Sequence, residues 1–198
     1  MSHRRRYIEA IAIASFAFVL ELWGSSYTHS AALWGDAWHV FGDGSTLATG
    51  LVALELKARG KRSEPLELAT SLLNILILLV AAALLTRWGL TLLEKPVPVS
   101  GYSLLAIAGI GALCNLRQWY LAHGLGGAHT HEHTRLGQVL HFASDFFASM
   151  AVIAGAVGTL LGYQKSDAVA SLTVAIIILI FVGVLGKEIW HTHHHLTF

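Results

Sequence analysis

Charge is scarce in this sequence, and so are cysteine and proline, and each shortage removes a class of protein. Charged residues make up 13% of the 198 positions, about half the share of an ordinary soluble domain. A water-facing surface of the usual kind is therefore not available. Cys114 is the single cysteine, which rules out an intrachain disulfide framework and says little about redox compartment. A formal net charge of +1 excludes a nucleic-acid binder, whose footprint would be a basic stripe. Pro65, Pro96 and Pro98 are the three prolines, and all of them fall in linkers between apolar runs.

What the chain has in quantity is apolar. Hydrophobic residues reach 55%, and the mean hydropathy is +0.60. Six segments, at about 7–26, 31–56, 66–88, 99–122, 132–162 and 168–190, are each long enough to cross about 30 Å of hydrocarbon as a helix. The expected fold is all-α, a six-helix transmembrane bundle forming one integral domain over 1–198 with no soluble C-terminal domain. Ser2-His3-Arg4-Arg5-Arg6 before the first run has the outline of a signal peptide. That run contains Glu21 and leads into further spans, however, so a retained first helix is expected.

Orientation follows from the cations. Arg4, Arg5, Arg6, Lys57, Arg59, Lys61, Arg62, Arg135 and Lys187 fall on one side of a six-span topology, and only Arg87, Lys95 and Lys165 on the other. The positive-inside rule then places both termini in the cytoplasm, with the chain in the cell (inner) membrane. Arg117, inside the fourth segment, is expected to snorkel to the cytoplasmic end. Gly109 and Gly111, Gly155 and Gly158, and Gly183 and Gly186 suit close helix packing in lipid.

Ionisable groups within the spans carry the chemistry. A charge at the bilayer centre costs roughly 3 kcal/mol or more, so such residues face a partner, an ion or a water-filled path. His39 and Asp43 stand at i and i+4, which brings both onto one helix face. His141 and Asp145 repeat the spacing. The second and fifth segments run antiparallel, and each motif lies about 15 Å along its helix, so the four side chains can meet at mid-membrane. Two imidazoles and two carboxylates make a tetrahedral set suited to Zn2+, with Cd2+, Co2+ and Fe2+ as competitors. Two ionised Asp also neutralise a +2 ion. The bland alternative is a pair of His–Asp hydrogen bonds between helices; two motifs at matched depth favour the metal. Imidazole binds metal only when neutral, and its ordinary pKa is about 6.5. Metal and protons thus compete, and alternating exposure to the two faces would exchange outgoing cation for incoming protons.

Other polar residues in the spans leave more than one reading each. Asp36 lines an outer vestibule or starts the second helix. Glu21 relays protons, pairs with a site histidine, or makes a structural hydrogen bond. Asn74 and Asn115 bond across helices or stand beside the cation path. The histidines His123, His129, His131 and His133 before the fifth segment, and His191, His193, His194 and His195 at the tail, gather transition metals weakly or are simply solvated.

These motifs together give the sequence a family likeness. Asp36-Ala37-Trp38-His39-Val40-Phe41-Gly42-Asp43, His141-Phe142-Ala143-Ser144-Asp145, Glu21, the His-rich loop and Asp167-Ala168-Val169-Ala170-Ser171-Leu172 resemble the pattern of the cation diffusion facilitator family of zinc and related metal transporters. The resemblance implies a zinc/proton antiporter, with Zn2+ as transported substrate held by His39, Asp43, His141 and Asp145, and protons as counter-substrate. Lipid and a second copy of the chain, in a homodimer, are the surroundings it implies. Members usually carry a soluble cytoplasmic domain after the sixth helix, which helps dimerisation and metal sensing; this sequence stops eight residues past Trp190, so a short member is expected. Three other classes compete with a transporter. An intramembrane metalloenzyme would need an open coordination position and an acid or base such as Asp36 or Glu21. A haem carrier leaves the carboxylates without purpose. A non-transporting metal sensor or partner subunit would bind metal without flux.

Overall fold

The computed structural model describes residues 3–123 and 132–194, with the side chains of 122–143, 188 and 191–194 outside that description. The six apolar segments become six helices: α1 (His3–Thr28), α2 (Ala31–Ala58), α3 (Glu64–Glu94), α4 (Gly101–His123), α5 (Glu132–Leu160) and α6 (Ser166–His194). Helix is the form an apolar run takes in hydrocarbon, because it satisfies every backbone N–H and C=O within the segment. The largest departure from expectation is α3, which outruns 66–88 at both ends. Pro65, expected in the linker, sits instead in the first turn, where its missing N–H is one the helix leaves unbonded anyway. At the far end the helix runs on until the Lys95 N–H closes it onto the Thr91 carbonyl at 2.9 Å.

The reversals are built from local chemistry. Ser30 caps α2, its hydroxyl oxygen accepting from the Leu33 N–H at 3.1 Å. Gly60 ends α2 with φ of +68°, and the Lys61 N–H reaches back to the Leu56 carbonyl at 2.9 Å. This is the left-handed C-terminal motif that a residue without a Cβ adopts at no steric cost.

Helices α1, α2, α3, α6, α5 and α4 pack in that order around a closed ring, and α2 also crosses the interior to touch α5 and α6. Alternation of direction is confirmed by pairs at the ends. Arg4 on α1 meets Glu55 on α2 at 3.5 Å, and Lys57 on α2 meets Glu67 on α3 at 3.3 Å. These mark a basic end of the bundle. At the opposite end Asp167 of α6 accepts from the Ser30 hydroxyl and, at 2.9 Å, from the Ala31 N–H, tying the starts of α2 and α6 together.

Small residues face inward and large ones outward. Ala10, Ala14 and Ala17 of α1 and Ala31, Ala32 and Ala37 of α2 are buried, whereas Val19, Leu73, Leu76, Leu113, Phe146, Phe147 and Ile180 are exposed. Lipid tails are as apolar as leucine, so the bundle gains by close backbone approach rather than by hiding bulk. Gly111 meets Glu21 of α1, and Gly155 and Gly158 meet Ala170 and Ser166 of α6. Gly109, Gly183 and Gly186 do not follow the packing expectation: a Cβ there would find nothing within 4 Å among the described residues. Among the described residues, α1, α3 and the Ser166–Lys187 stretch of α6 are long and apolar enough to cross a membrane on composition alone. Polar residues are denser on their neighbours, with Asp36, His39 and Asp43 on α2, Asn115, Arg117 and Gln118 on α4 and Asp145 on α5, while α1 and α3 carry Glu21 and Asn74.

Candidate metal centre

The interior crossing of α2 and α5 decides what the polar residues can do. Asp43 lies fifteen residues before the end of α2, and Asp145 thirteen past the start of the antiparallel α5. At 1.5 Å per residue both stand about 20 Å from the basic end, near the middle of each helix. The two motifs therefore share one depth.

Three of the four expected side chains converge there. His39, Asp43 and Asp145 each offer a donor atom within 4.8 Å of the others. They are 1%, 7% and 8% exposed respectively. His39 Nε2 and Asp145 Oδ1 are 2.7 Å apart and hydrogen-bonded. A tetrahedral ion at roughly 2.1 Å from each donor holds its ligands about 3.4 Å apart, so small side-chain rotations would close the set on a cation. His141 lies one turn before Asp145 on α5; its side chain lies outside the described residues. The loop histidines His129 and His131, the His133 side chain and the side chains of the tail also lie outside them.

Two neighbours of the cluster were not singled out from sequence. The Ser144 hydroxyl is 3.4 Å from His39 Nε2 and donates to Asp145 Oδ1 at 3.5 Å. Phe181 of α6 packs its ring perpendicular to the His39 imidazole, with centroids 5.4 Å apart and planes at 89°. Phe181 carries no signal in one sequence, since nothing distinguishes it from the other apolar residues of α6.

A second polar group lies toward the opposite end. Asp36, 1% exposed, is five residues past the start of α2. It is neither the cap, which is Ser30, nor at the surface, which overturns the helix-start alternative. Its Oδ2 accepts from the Ser149 hydroxyl at 3.4 Å, and Ser149 accepts from Asn115 Nδ2 at 3.0 Å. Gln118 adds a further 3.4 Å bond to Asn115 Oδ1, so one chain links α2, α5 and α4. Ser149 stands four residues after Asp145, the spacing that would have found it. Glu21 of α1 is 0% exposed, and among the described residues neither of its oxygens nor Asp36 Oδ1 has a hydrogen-bond partner. On α3, Asn74 donates to the Gly42 carbonyl at 3.5 Å. Arg117 pairs with Glu9 of α1 and lies 5.3 Å from the Tyr120 ring centre, turned toward the basic end.

Six antiparallel helices with lipid-facing bulk and a buried imidazole–dicarboxylate cluster define a multi-pass membrane protein with a cation-attracting centre. The chain belongs to the cation efflux family: the model of the cation efflux transmembrane domain matches residues 8–189. The zinc transporter ZitB of Escherichia coli (strain K12) is 27% identical over 188 residues, 90% of this chain and 58% of its own length. ZitB of Yersinia pestis is 29% identical over 96% of this chain and 62% of its length. A cadmium, cobalt and zinc/H(+)-K(+) antiporter of Bacillus subtilis (strain 168) is 27% identical over 81% of this chain and 54% of its length. The chain thus spans about three-fifths of the length of the relatives it matches. This is a family of transporters, not of enzymes.

Proposed function

We propose that this chain moves a divalent cation, zinc foremost, out of the cytoplasm in exchange for protons. His39, Asp43, His141 and Asp145 hold the ion. Cadmium and cobalt, named for the Bacillus subtilis relative, and ferrous iron are the competing substrates. The donor set supports this choice, because imidazole nitrogen with carboxylate oxygen suits zinc-like ions better than an all-oxygen or all-sulfur shell would. The basic end, carrying Arg4 to Arg6 and Lys57 to Arg62, faces the cytoplasm by the positive-inside rule. The inner membrane is the site, and a homodimer is the assembly.

One observation carries the exchange. The 2.7 Å hydrogen bond between His39 Nε2 and Asp145 Oδ1 holds a proton between two atoms that would both bind the ion. A lone pair cannot serve a proton and a metal at once. When both imidazole nitrogens carry protons, loading the ion at Nε2 sends the shared proton to solvent while Nδ1 keeps its own, and reprotonation of the same pair helps release the ion on the far side. The Ser144 hydroxyl and the Phe181 ring keep the imidazole in place between the two states. Counting protons tests this step. Calorimetric zinc titrations in buffers of different ionisation enthalpy should show one or more protons released per ion bound; binding with no proton release would contradict the exchange.

A further inference from the structure

Toward the basic end, below the His39–Asp43–Asp145 cluster, the bundle is not filled. A cavity of about 330 Å³ opens between α1, α2 and α3, and Tyr7, Thr46, Thr49, Lys57, Glu67 and Ser71 are among the residues lining it. Thr46 lies three residues past Asp43 on α2, and Ser71 three residues before Asn74 on α3. Because these helices are antiparallel, the cavity ends one turn short of Asp43 on one wall and one turn short of Asn74 on the other. From Thr46 to Lys57 it follows α2 for about 16 Å.

Its walls have a definite polarity. Thr46 donates its hydroxyl proton to the Gly42 carbonyl at 3.1 Å, Thr49 to the Ser45 carbonyl at 3.0 Å, and Ser71 to the Glu67 carbonyl at 2.9 Å. A hydroxyl has one proton and two lone pairs. With the proton spent on its own helix, each oxygen can only accept, so these three offer lone pairs to whatever enters. This stretch of wall suits water and cations better than anions. Lys57, which would repel a cation, is held by Glu67 at 3.3 Å, and Glu67 also accepts from the Ser63 hydroxyl at 2.6 Å. Beyond the inner end stands Asn74, 5% exposed, whose Oδ1 has no hydrogen-bond partner among the described residues. An orphaned buried amide oxygen is a further acceptor on the same line, beside Gly42 and one residue from Asp43.

We propose that this cavity is the aqueous approach to the central cluster from the basic end, in which the oxygens of Thr46, Thr49, Ser71 and Asn74 replace part of the hydration shell of an incoming divalent cation. It rests on the reading of His39, Asp43 and Asp145 as the cation site. The Lys57–Glu67 pair marks its mouth.

The test combines accessibility with rate. In a Cys114→Ala background, single Thr46→Cys and Thr49→Cys variants in inverted vesicles should react with a charged, membrane-impermeant thiol reagent about tenfold or more faster than lipid-facing Leu73→Cys, because the thiolate that reacts forms only in water. Equal, slow labelling at all three would overturn the proposal and leave a cavity filled by lipid. The near-isosteric pair Thr46→Val and Ser71→Ala should then lower the initial rate of zinc entry by about fivefold with unchanged zinc affinity at the central cluster. An unchanged rate in a variant that binds zinc normally would also overturn it. If the unmodified chain bound no zinc at all, the central site would be refuted instead, while the labelling would still decide whether the cavity holds water.

Discussion

His39 and Asp145 come from positions 106 apart in the chain, and their contact is where the account is most exposed to test. An imidazole bonded to a carboxylate can be a structural pair or two ligands awaiting an ion. Replacement by isosteric amides separates these. Asp43→Asn and Asp145→Asn keep volume and most hydrogen bonding, so a structural pair would tolerate them. A liganding pair would not: each variant should bind zinc about 100-fold or more weakly by calorimetry, since even partners outside the coordination shell are worth about 10–100-fold. Near-wild-type affinity in both would remove the site. The spacing of the two His-x-x-x-Asp motifs made this cluster legible in the sequence, because i and i+4 define a face wherever the helix begins. Ser144 and Phe181 were not legible, since their roles come from the angle at which α5 and α6 meet α2.

Helices in this molecule are held to one another by a few specific contacts, and these were the least readable part of the sequence. Asp167 bonds Ser30 and Ala31 across 137 and 136 positions. An acid in the first turn of α6 reads as an ordinary favourable charge at a helix start until α2 is seen beside it. Asp167→Ala should lower stability in detergent by about 1–2 kcal/mol, as loss of a capping partner does, with Asp167→Asn between it and wild type in a thermal melt. Gly111 and Glu21 form the second contact, because a Cβ on Gly111 would collide with the Glu21 carboxyl. Gly111→Ala alone should therefore destabilise the α1–α4 pair by about 1–3 kcal/mol. Adding Glu21→Ala, which removes the obstruction, should make the double variant less unstable than the sum of the singles. Simple additivity would mean that the two residues do not press on each other. The Asp36–Ser149–Asn115–Gln118 chain escaped notice for a related reason. Two of its members, Asp36 and Asn115, read as isolated polar residues, and only the packing of α2, α4 and α5 joins them to Ser149 and Gln118.

At the scale of the whole bundle the outline was the most legible feature. Lengths of uninterrupted apolar sequence fix six helices, and short linkers fix their alternation. Sequence did not show that the ring closes through α3 and α6, or that α2 crosses its interior and so carries the site. Central placement has a consequence for pH. The donors that bind the ion also bind protons, and imidazole ordinarily titrates near pH 6.5. Acidification therefore favours protons over the ion, so apparent zinc affinity should fall by about tenfold or more between pH 7.5 and 5.5; a flat profile would argue against shared donors. The most direct test of the central claim is zinc flux in proteoliposomes under an imposed pH gradient, with wild type compared to Asp145→Ala. The account predicts uptake driven by the gradient in wild type and lost in the variant. Gradient-independent uptake, or uptake undiminished by Asp145→Ala, would contradict it.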